Sequence, residues 1–438
     1  MADFTPPDVT EKAGGKKGAG SGGVADFRYK RPSQPRQRRP EKPGQQAHGT
    51  GPTKGPRPDR KRPRKADQAK QRSRADGQGG NRDTPAKAQT AGAGRKAKPA
   101  GEPGDFRKAA GRQAYAALDL GTNNCRLLIA RPSGPDFTVI DAFSRVVRLG
   151  EGLAMSGRLS DVAMDRALGA LHICAEKLRR RNVHLARSVA TEACRRAANG
   201  ARFIERVREE TGIVLDIISA QEEARLAVLG CHVLLESGAG QAVIFDIGGG
   251  STELVLIEPG GPVPRILDWQ SVPWGVVSLT DTVGRAEGDS KDARLARYAE
   301  MRRLVSRSFA PFAGRVARAA LGEDIRLLGT SGTVTTLASL HLELPQYDRR
   351  AVDGLIVPSA SMRDISDRLS GMSPTERRTL PCIGNDRADL VVAGCAILES
   401  ILDLWPADRL GVADRGIREG ILRSLMAADH ADLARAEV

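Results

Sequence analysis

No apolar run in the 438 residues reaches the roughly 18 needed to cross a bilayer, and the N-terminus, MADFTPPDVTEKAGG, lacks the apolar centre of a signal peptide. The expectation is a cytoplasmic protein with no membrane segment. Cysteine is sparse: Cys125, Cys174, Cys194, Cys231, Cys382 and Cys395 lie scattered with no C-x-x-C pair, which excludes a disulfide scaffold and reads as reduced thiols. Six histidines never fall into metal-ligand spacing, so they read as structural. No G-x-x-x-x-G-K-S/T occurs, which excludes a P-loop.

Net charge is also missing from most of the chain. Residues 1–112 hold 28 of the 68 Lys and Arg but only 11 of the 53 Asp and Glu, a net +17 that leaves the remainder at −2. The basic pI therefore belongs to one segment and does not mark a nucleic-acid-binding fold. That segment is built of Gly, Pro, Gln, Lys and Arg and cannot bury enough apolar surface to offset its chain entropy, so a disordered tail is expected over 1–112. It reads either as a solubilising extension, or an upstream start that is not used, or as an arm for RNA, polyphosphate or another polyanion.

From Ala114 the texture changes to alternating strands and amphipathic helices. Expected strands include 114–119, 126–130 and 137–148, and expected helices 161–181, 202–211 and 221–236. At Gln241 the pattern restarts with strands over 242–246 and 252–258, then helices at 291–320, 333–341, 387–404 and 417–427 between further strands. Two similar α/β halves are predicted, 113–239 and 240–438.

The strongest signal is an internal repeat. AALDLGTNNCRLLIA (116–130) and VIFDIGGGSTELVLI (243–257) each run from an apolar strand ending in Asp, through a Gly-containing turn, into a second apolar strand. Small residues let backbone amides surround phosphate oxygens without a Cβ in the way. Gly121, Thr122, Asn123 and Asn124 in the first turn, with Gly248, Gly249, Gly250, Ser251 and Thr252 in the second, are candidate phosphate binders. Asp119 and Asp246, at the strand ends, are placed to hold Mg²⁺. LLGTSGTVTTLASL (327–340) forms a third strand-to-helix turn, readable as an anion site or as an ordinary helix cap.

Carboxylates decide between binding and hydrolysis. Glu192 follows one strand, with Arg195 three residues later, and Glu222 and Glu223 open a helix after another. Such positions face the crevice of an open α/β sheet, where a glutamate can deprotonate water. Residue spacing leaves a second reading open, in which Glu222 and Glu223 complement a helix dipole and Glu192 is solvated.

The stretch from Tyr115 to about Met426 resembles the exopolyphosphatase and guanosine pentaphosphate phosphohydrolase (Ppx/GppA) family. It does so through ALDLGTNNCRLLIA, RLGEGLAMSGRLS, ATEACRRAANG, ISAQEEARLAVLG, FDIGGGSTELVLI, GTSGTVTTLA, RADLVVAGCAILE and GIREGIL, in the family's order. The resemblance implies a duplicated, actin-like (ribonuclease H-like) α/β fold, with hydrolysis in the cleft between two lobes. It makes Glu222 the catalytic base and Glu192 its helper, and brings Arg195 to substrate phosphate. Departures are Thr122, Asn123 and Asn124 where members often carry Ser-Asn-Ser, and Cys125 in place of a bulkier apolar residue. The chain looks like the short, two-domain members, which are expected to form homodimers, and it lacks the His-Asp doublet of an appended metal phosphohydrolase domain. The expected activity is Mg²⁺-dependent release of terminal phosphate from polyphosphate or guanosine pentaphosphate. The rivals are an actin-like kinase and a polyanion-binding protein acting through its tail.

Overall fold

Each Gly-containing turn folds an apolar strand back on itself, and in the computed structural model each resulting hairpin sits inside its own sheet. The structure describes residues 113–438 apart from 135, 239, 262, 285–289, 317–324 and 437–438. The basic tail expected over 1–112, with its polyanion reading, and the last residues of the helix expected to reach Ala320 lie outside the described residues.

The first sheet is built from β1 (Tyr115–Leu120), β2 (Asn124–Ser133) and β3 (Asp136–Val146). Helix α1 (Asp161–Arg180) then leads to β4 (Leu185–Ala190), α2 (Glu192–Arg196), α3 (Gly200–Thr211), β5 (Asp216–Ile217) and α4 (Ala220–Cys231). The order is β3-β2-β1-β4-β5, with β4 and β5 parallel to β1 and the hairpin strands antiparallel. A parallel neighbour needs a crossover, and α1 supplies it. Ser160 caps α1 by accepting from the Ala163 amide, and Lys177, Arg179 and Arg180 face the negative end of its dipole.

The second sheet repeats the plan with β6 (Ala242–Ile247), β7 (Thr252–Glu258) and β8 (Arg265–Val272), followed by α5 (Val276–Val283) and α6 (Lys291–Val316). Next come β9 (Arg326–Thr330), α7 (Gly332–His341), β10 (Ile356–Pro358), α8 (Ser359–Gly371), α9 (Val391–Leu404), β11 (Arg409–Ala413) and α10 (Ile417–Ala436). Its order, β10-β11-β9-β6-β7-β8, is that of the first sheet with β10 added at one edge. In both sheets the central parallel strands end on the same side, which places Asp119, Thr191, Asp246 and Thr330 together at strand ends.

Packing does not follow the expected split at 239/240. That split gives α4 to the first half and α10 to the second, yet Ile421, Leu422 and Met426 of α10 are buried against Tyr115, Ala117, Leu128 and Val189 of the first sheet. Conversely, Ala224, Val228 and Cys231 of α4 pack on Ala242, Ile244, Val255 and Ile257 of the second. The apolar stripe of each helix matches the opposite sheet, so chain order misassigns both. The two helices touch backbone to backbone: a Cβ on Gly420 would stand 2.1 Å from the Leu226 carbonyl oxygen, and one on Gly230 1.9 Å from that of Gly416.

Gly420→Val should therefore force the helices apart. The expected cost is about 1–3 kcal/mol or more of unfolding free energy, read as a lower denaturation midpoint at unchanged slope. An unshifted midpoint would show that this crossing does not hold the lobes.

Candidate active site

The two turns close in the same way. The Gly121 amide donates to the Asn124 carbonyl at 2.9 Å, and the Gly248 amide to the Ser251 carbonyl at 2.9 Å. They also abut one another across the lobes. A Cβ on Gly249 would lie 3.0 Å from the Thr122 Cβ, and one on Gly250 would lie 2.6 Å from Thr122 Oγ1 and 2.9 Å from the Glu192 Cγ. Only glycine allows so close an approach. At the rim the Gly152 amide donates to Asp281 Oδ2 at 2.9 Å, and Arg148 reaches Asp386 at 3.3 Å.

Between the turns is a cavity of about 130 Å³. Asp119, Gly121, Thr122, Asn123, Asn124, Glu192, Asp246, Gly248, Gly249, Gly250 and Ser251 all line it. The remaining three candidates do not. Thr252 is fully buried and its hydroxyl donates to the Trp274 carbonyl at 2.6 Å, so it fixes the turn from behind. Arg195 is occupied by carboxylates: its Nη2 donates to Glu192 Oε2 at 2.6 Å and to Glu223 Oε2 at 3.1 Å, while Nη1 donates to the Ile218 carbonyl at 2.7 Å. It ties two glutamates together instead of facing the cavity.

Glu222 is the main correction. Its carboxylate accepts from Arg187 Nη1 at 2.8 Å and from Arg225 Nε at 2.7 Å, outside the cavity. Burial raises its pKa, but the hydrogen bonds from Arg225 and Arg187 outweigh that and hold it below the ordinary range, which suits an ion pair and not a proton acceptor. Glu223, one residue on, lines the cavity and is buried. One helical step is about 100°, enough to exchange outside for inside.

The cavity wall concentrates negative charge. Burial, reinforced by neighbouring Glu253, raises the Glu223 pKa well above that of a free carboxyl despite Arg195. Asp246 is pushed up to about 8, by burial first and then by Glu253. Asp119 is raised by burial against the opposing pull of Arg126 and Arg418. Glu253 is pushed up to about 7 by burial, although the hydroxyls of Ser251 and Ser271 both donate to its Oε1, at 2.7 and 2.9 Å.

Such crowding calls for a cation. Asp119 Oδ1 and Asn123 Oδ1 are buried without a hydrogen-bond partner, so oxygen ligands are available. Among the described residues no group of three or more His, Cys, Asp or Glu is arranged to hold a metal. Asp119 and Asp246, with these oxygens, suit a hard divalent cation that keeps most of its waters.

Sequence reasoning named Glu223 but preferred Glu222 to it, and passed over Glu253, Arg126 and Arg387. Signals existed for three of them. Glu223 shares its helix face with Leu226, Ala227 and Gly230, all buried, whereas Glu222 shares its face with exposed Arg225. Hairpin register sets Arg126 opposite Asp119 and Glu253 opposite Asp246, so the repeat carries opposite charges at equivalent places. Arg387 gave no local signal: the helix expected to start there begins at Val391, and the preceding turn delivers Arg387 to the cavity.

Two duplicated sheets with paired glycine-containing turns and cleft carboxylates define a two-lobed protein of the actin-like, ribonuclease H-type class. The Ppx/GppA phosphatase family matches residues 128–429. Exopolyphosphatase 2 of Mycobacterium tuberculosis is 31% identical over 323 residues, covering 71% of this chain and 98% of its own. The crystal structure of the Aquifex aeolicus Ppx/GppA family member superposes with a TM-score of 0.59 at 27% identity, over 72% of this chain and 98% of that one. An exopolyphosphatase structure from Cytophaga hutchinsonii gives a TM-score of 0.64 at 24% identity, over 72% and 98%, a likeness of fold. The chain belongs to the Ppx/GppA phosphatase family and is an enzyme of the phosphohydrolase kind. Among the described residues no helix is long and apolar enough to cross a membrane.

The raised carboxylates make stability depend on pH. Asp246 and Glu253, at about 8 and about 7, keep protons in the folded state that the unfolded chain has already lost. Their contribution is complete at low pH and is lost as pH rises through those values. Without divalent cations the melting temperature should fall by roughly 5–10 °C between about pH 5 and about pH 8, and Mg²⁺ should restore it. A flat profile would argue against the crowding.

Proposed function

We propose that the protein is an exopolyphosphatase, releasing terminal orthophosphate from inorganic polyphosphate. The observation that supports this most is the meeting, in one cavity, of both phosphate turns with Glu192 and Glu223, which Arg195 ties together from outside the cavity. Phosphate turns alone would suit a kinase equally; a buried glutamate pair at their edge suits activation of water.

The backbone amides of the two turns, with the side chains of Thr122, Asn123 and Asn124, hold the terminal phosphate and orient it. Glu223 takes a proton from a water aligned with phosphorus. The water oxygen bonds to phosphorus, the bridging P–O bond breaks, and the shortened chain leaves with its electron pair. Glu192 shares Arg195 with Glu223, so the guanidinium fixes the distance between them; Arg195 is a positioning residue. Mg²⁺, when bound by Asp119 and Asp246, supplies neutralisation of the phosphate oxygens. Most of the acceleration comes from fixed charges and dipoles aimed at the phosphoryl group.

Guanosine pentaphosphate presents the same terminal anhydride and is the second substrate this cavity suits. Phosphate release from long-chain polyphosphate, tripolyphosphate and guanosine pentaphosphate, each with and without Mg²⁺, separates the readings. No release from any of the three would end the phosphohydrolase proposal.

Glu223→Gln should lower kcat by roughly 100- to 10,000-fold, the usual loss on removing a general base, with substrate still bound. Glu222→Gln should change kcat by less than about threefold, since its ion pairs are partly exposed and worth on the order of 1 kcal/mol. The reverse ranking would return the role of base to Glu222.

A further inference from the structure

The carbonyls of a turn whose amides face an anion must point away from it and find donors there. In each lobe a later segment supplies those donors. The amides of Val147 and Arg148 donate to the Asn123 carbonyl at 2.8 and 3.0 Å, and that of Gly150 to the Thr122 carbonyl at 2.9 Å. In the second lobe the start of α5 takes this part: Val276 donates to the Gly248 carbonyl at 3.0 Å, and Val277 and Ser278 to that of Gly249 at 2.8 and 3.2 Å. The buried Ser278 hydroxyl adds a bond to the Gly250 carbonyl at 2.9 Å while accepting from the Gly275 amide at 2.9 Å. Each backing segment meets its turn at a glycine. A Cβ on Gly275 would stand 2.4 Å from the Gly249 carbonyl carbon, and one on Gly150 2.3 Å from the Thr122 Cγ2.

The two backing segments are also tied to one another. The Gly152 amide, just past the first, donates to Oδ2 of Asp281, which lies three residues after Ser278 on α5, at 2.9 Å. Residues that far apart are neighbours on a helix surface, so α5 holds the second turn with one residue and reaches the first lobe with the next on that face. The first backing segment is itself firmly set. Arg148 has a φ of 46°, in the left-handed region that a side chain disfavours. Arg166 of α1 supports it there, donating from Nε to the Val147 carbonyl at 2.9 Å and from Nη2 to the Arg148 carbonyl at 3.1 Å. Such a conformation persists where its surroundings over-determine it.

We propose that α5 is the brace that sets the gap between the two phosphate turns, with Ser278 and Asp281 as its positioning residues. This deepens the exopolyphosphatase reading and rests on it. Neither side chain lines the cavity, so each acts on a bound phosphate through the turns. A phosphate gripped from both sides needs that gap fixed, because hydrogen bonds weaken beyond about 3.2 Å and a misplacement of about 1 Å can cost roughly a hundredfold in rate. A carboxylate suits the link, since its bond to an amide is charge-assisted. The other contact at this rim, Arg148 to Asp386 at 3.3 Å, is exposed and joins two side chains, so it fixes the gap less firmly.

The test measures kcat on polyphosphate, calorimetric binding of pyrophosphate with Mg²⁺, and the denaturation midpoint, for the full chain and three variants. Asp281→Ala should lower kcat by roughly tenfold to a hundredfold and weaken pyrophosphate binding by roughly tenfold. Asp281→Asn keeps an oxygen that can accept from the Gly152 amide, and should bring both back to within about threefold of the wild type. A lower midpoint in Asp281→Ala with kcat and binding unchanged would make the residue merely structural and overturn the proposal, as would an Asn variant as impaired as the Ala one. Ser278→Ala, which frees the Gly250 carbonyl, should weaken pyrophosphate binding by about fivefold and lower kcat by a similar factor. It carries the test if Asp281→Ala misfolds, and values within about twofold of the wild type would then count against the brace. A wild-type chain that binds pyrophosphate but releases no phosphate from polyphosphate would remove the hydrolase reading, while the binding series would still decide the brace.

Discussion

Everything in the cleft depends on a contact that leaves no room for a side chain on Gly249 or Gly250. Gly249 and Gly250 lie so near Thr122, Asn123 and Glu192 that a single Cβ would separate them. Two turns from two sheets thereby become walls of one cavity, with Glu192 carried to its edge. The contact survives because the lobes are held by an exchange of helices, α10 covering the first sheet and α4 leaning on the second. Those helices again meet at glycines, Gly230 and Gly420. The same economy of volume thus operates where the helices cross and at the site.

Electrostatics then divides the space that packing created. Cross-strand partners at equivalent positions of the repeat differ in sign, Arg126 opposite Asp119 and Glu253 opposite Asp246. The hairpin in the first lobe is thereby locally balanced, while the one in the second accumulates negative charge, and Asp246 and Glu253 rise together in pKa. A polyanion entering such a site would be repelled without a cation, which is the physical reason for linking metal and substrate. On the far side of Asp119 and Asp246, arginine predominates.

Helix faces, more than motifs, decide which carboxylate reaches the cavity. Glu222 and Glu223 stand side by side in a segment that resemblance alone attributes to catalysis, and resemblance picked the first. Position 222 has Arg225 on its face and is drawn outward into an ion-pair cluster with Arg187. Position 223 has small and apolar neighbours along its face and turns inward to Arg195. Arg195, in turn, reads as a phosphate ligand only until the carboxylates that occupy it are seen.

The sequence by itself determined the α/β alternation, the duplicated hairpins and the two facing turns of the cavity, because these follow from local pattern: apolar strands, small turn residues and an acid at each strand end. It also carried the family. Local pattern missed β8, α5, β10 and α8, where turn-rich connections weaken the periodicity, and it could not see that α4 and α10 cross to the opposite sheets. Only the tertiary structure decided which glutamate faces the cleft and that Arg195 is a clamp between two carboxylates. Each of these depends on which side chains meet across distant segments, a matter settled by how apolar stripes find their partners and where charge is then left unpaired.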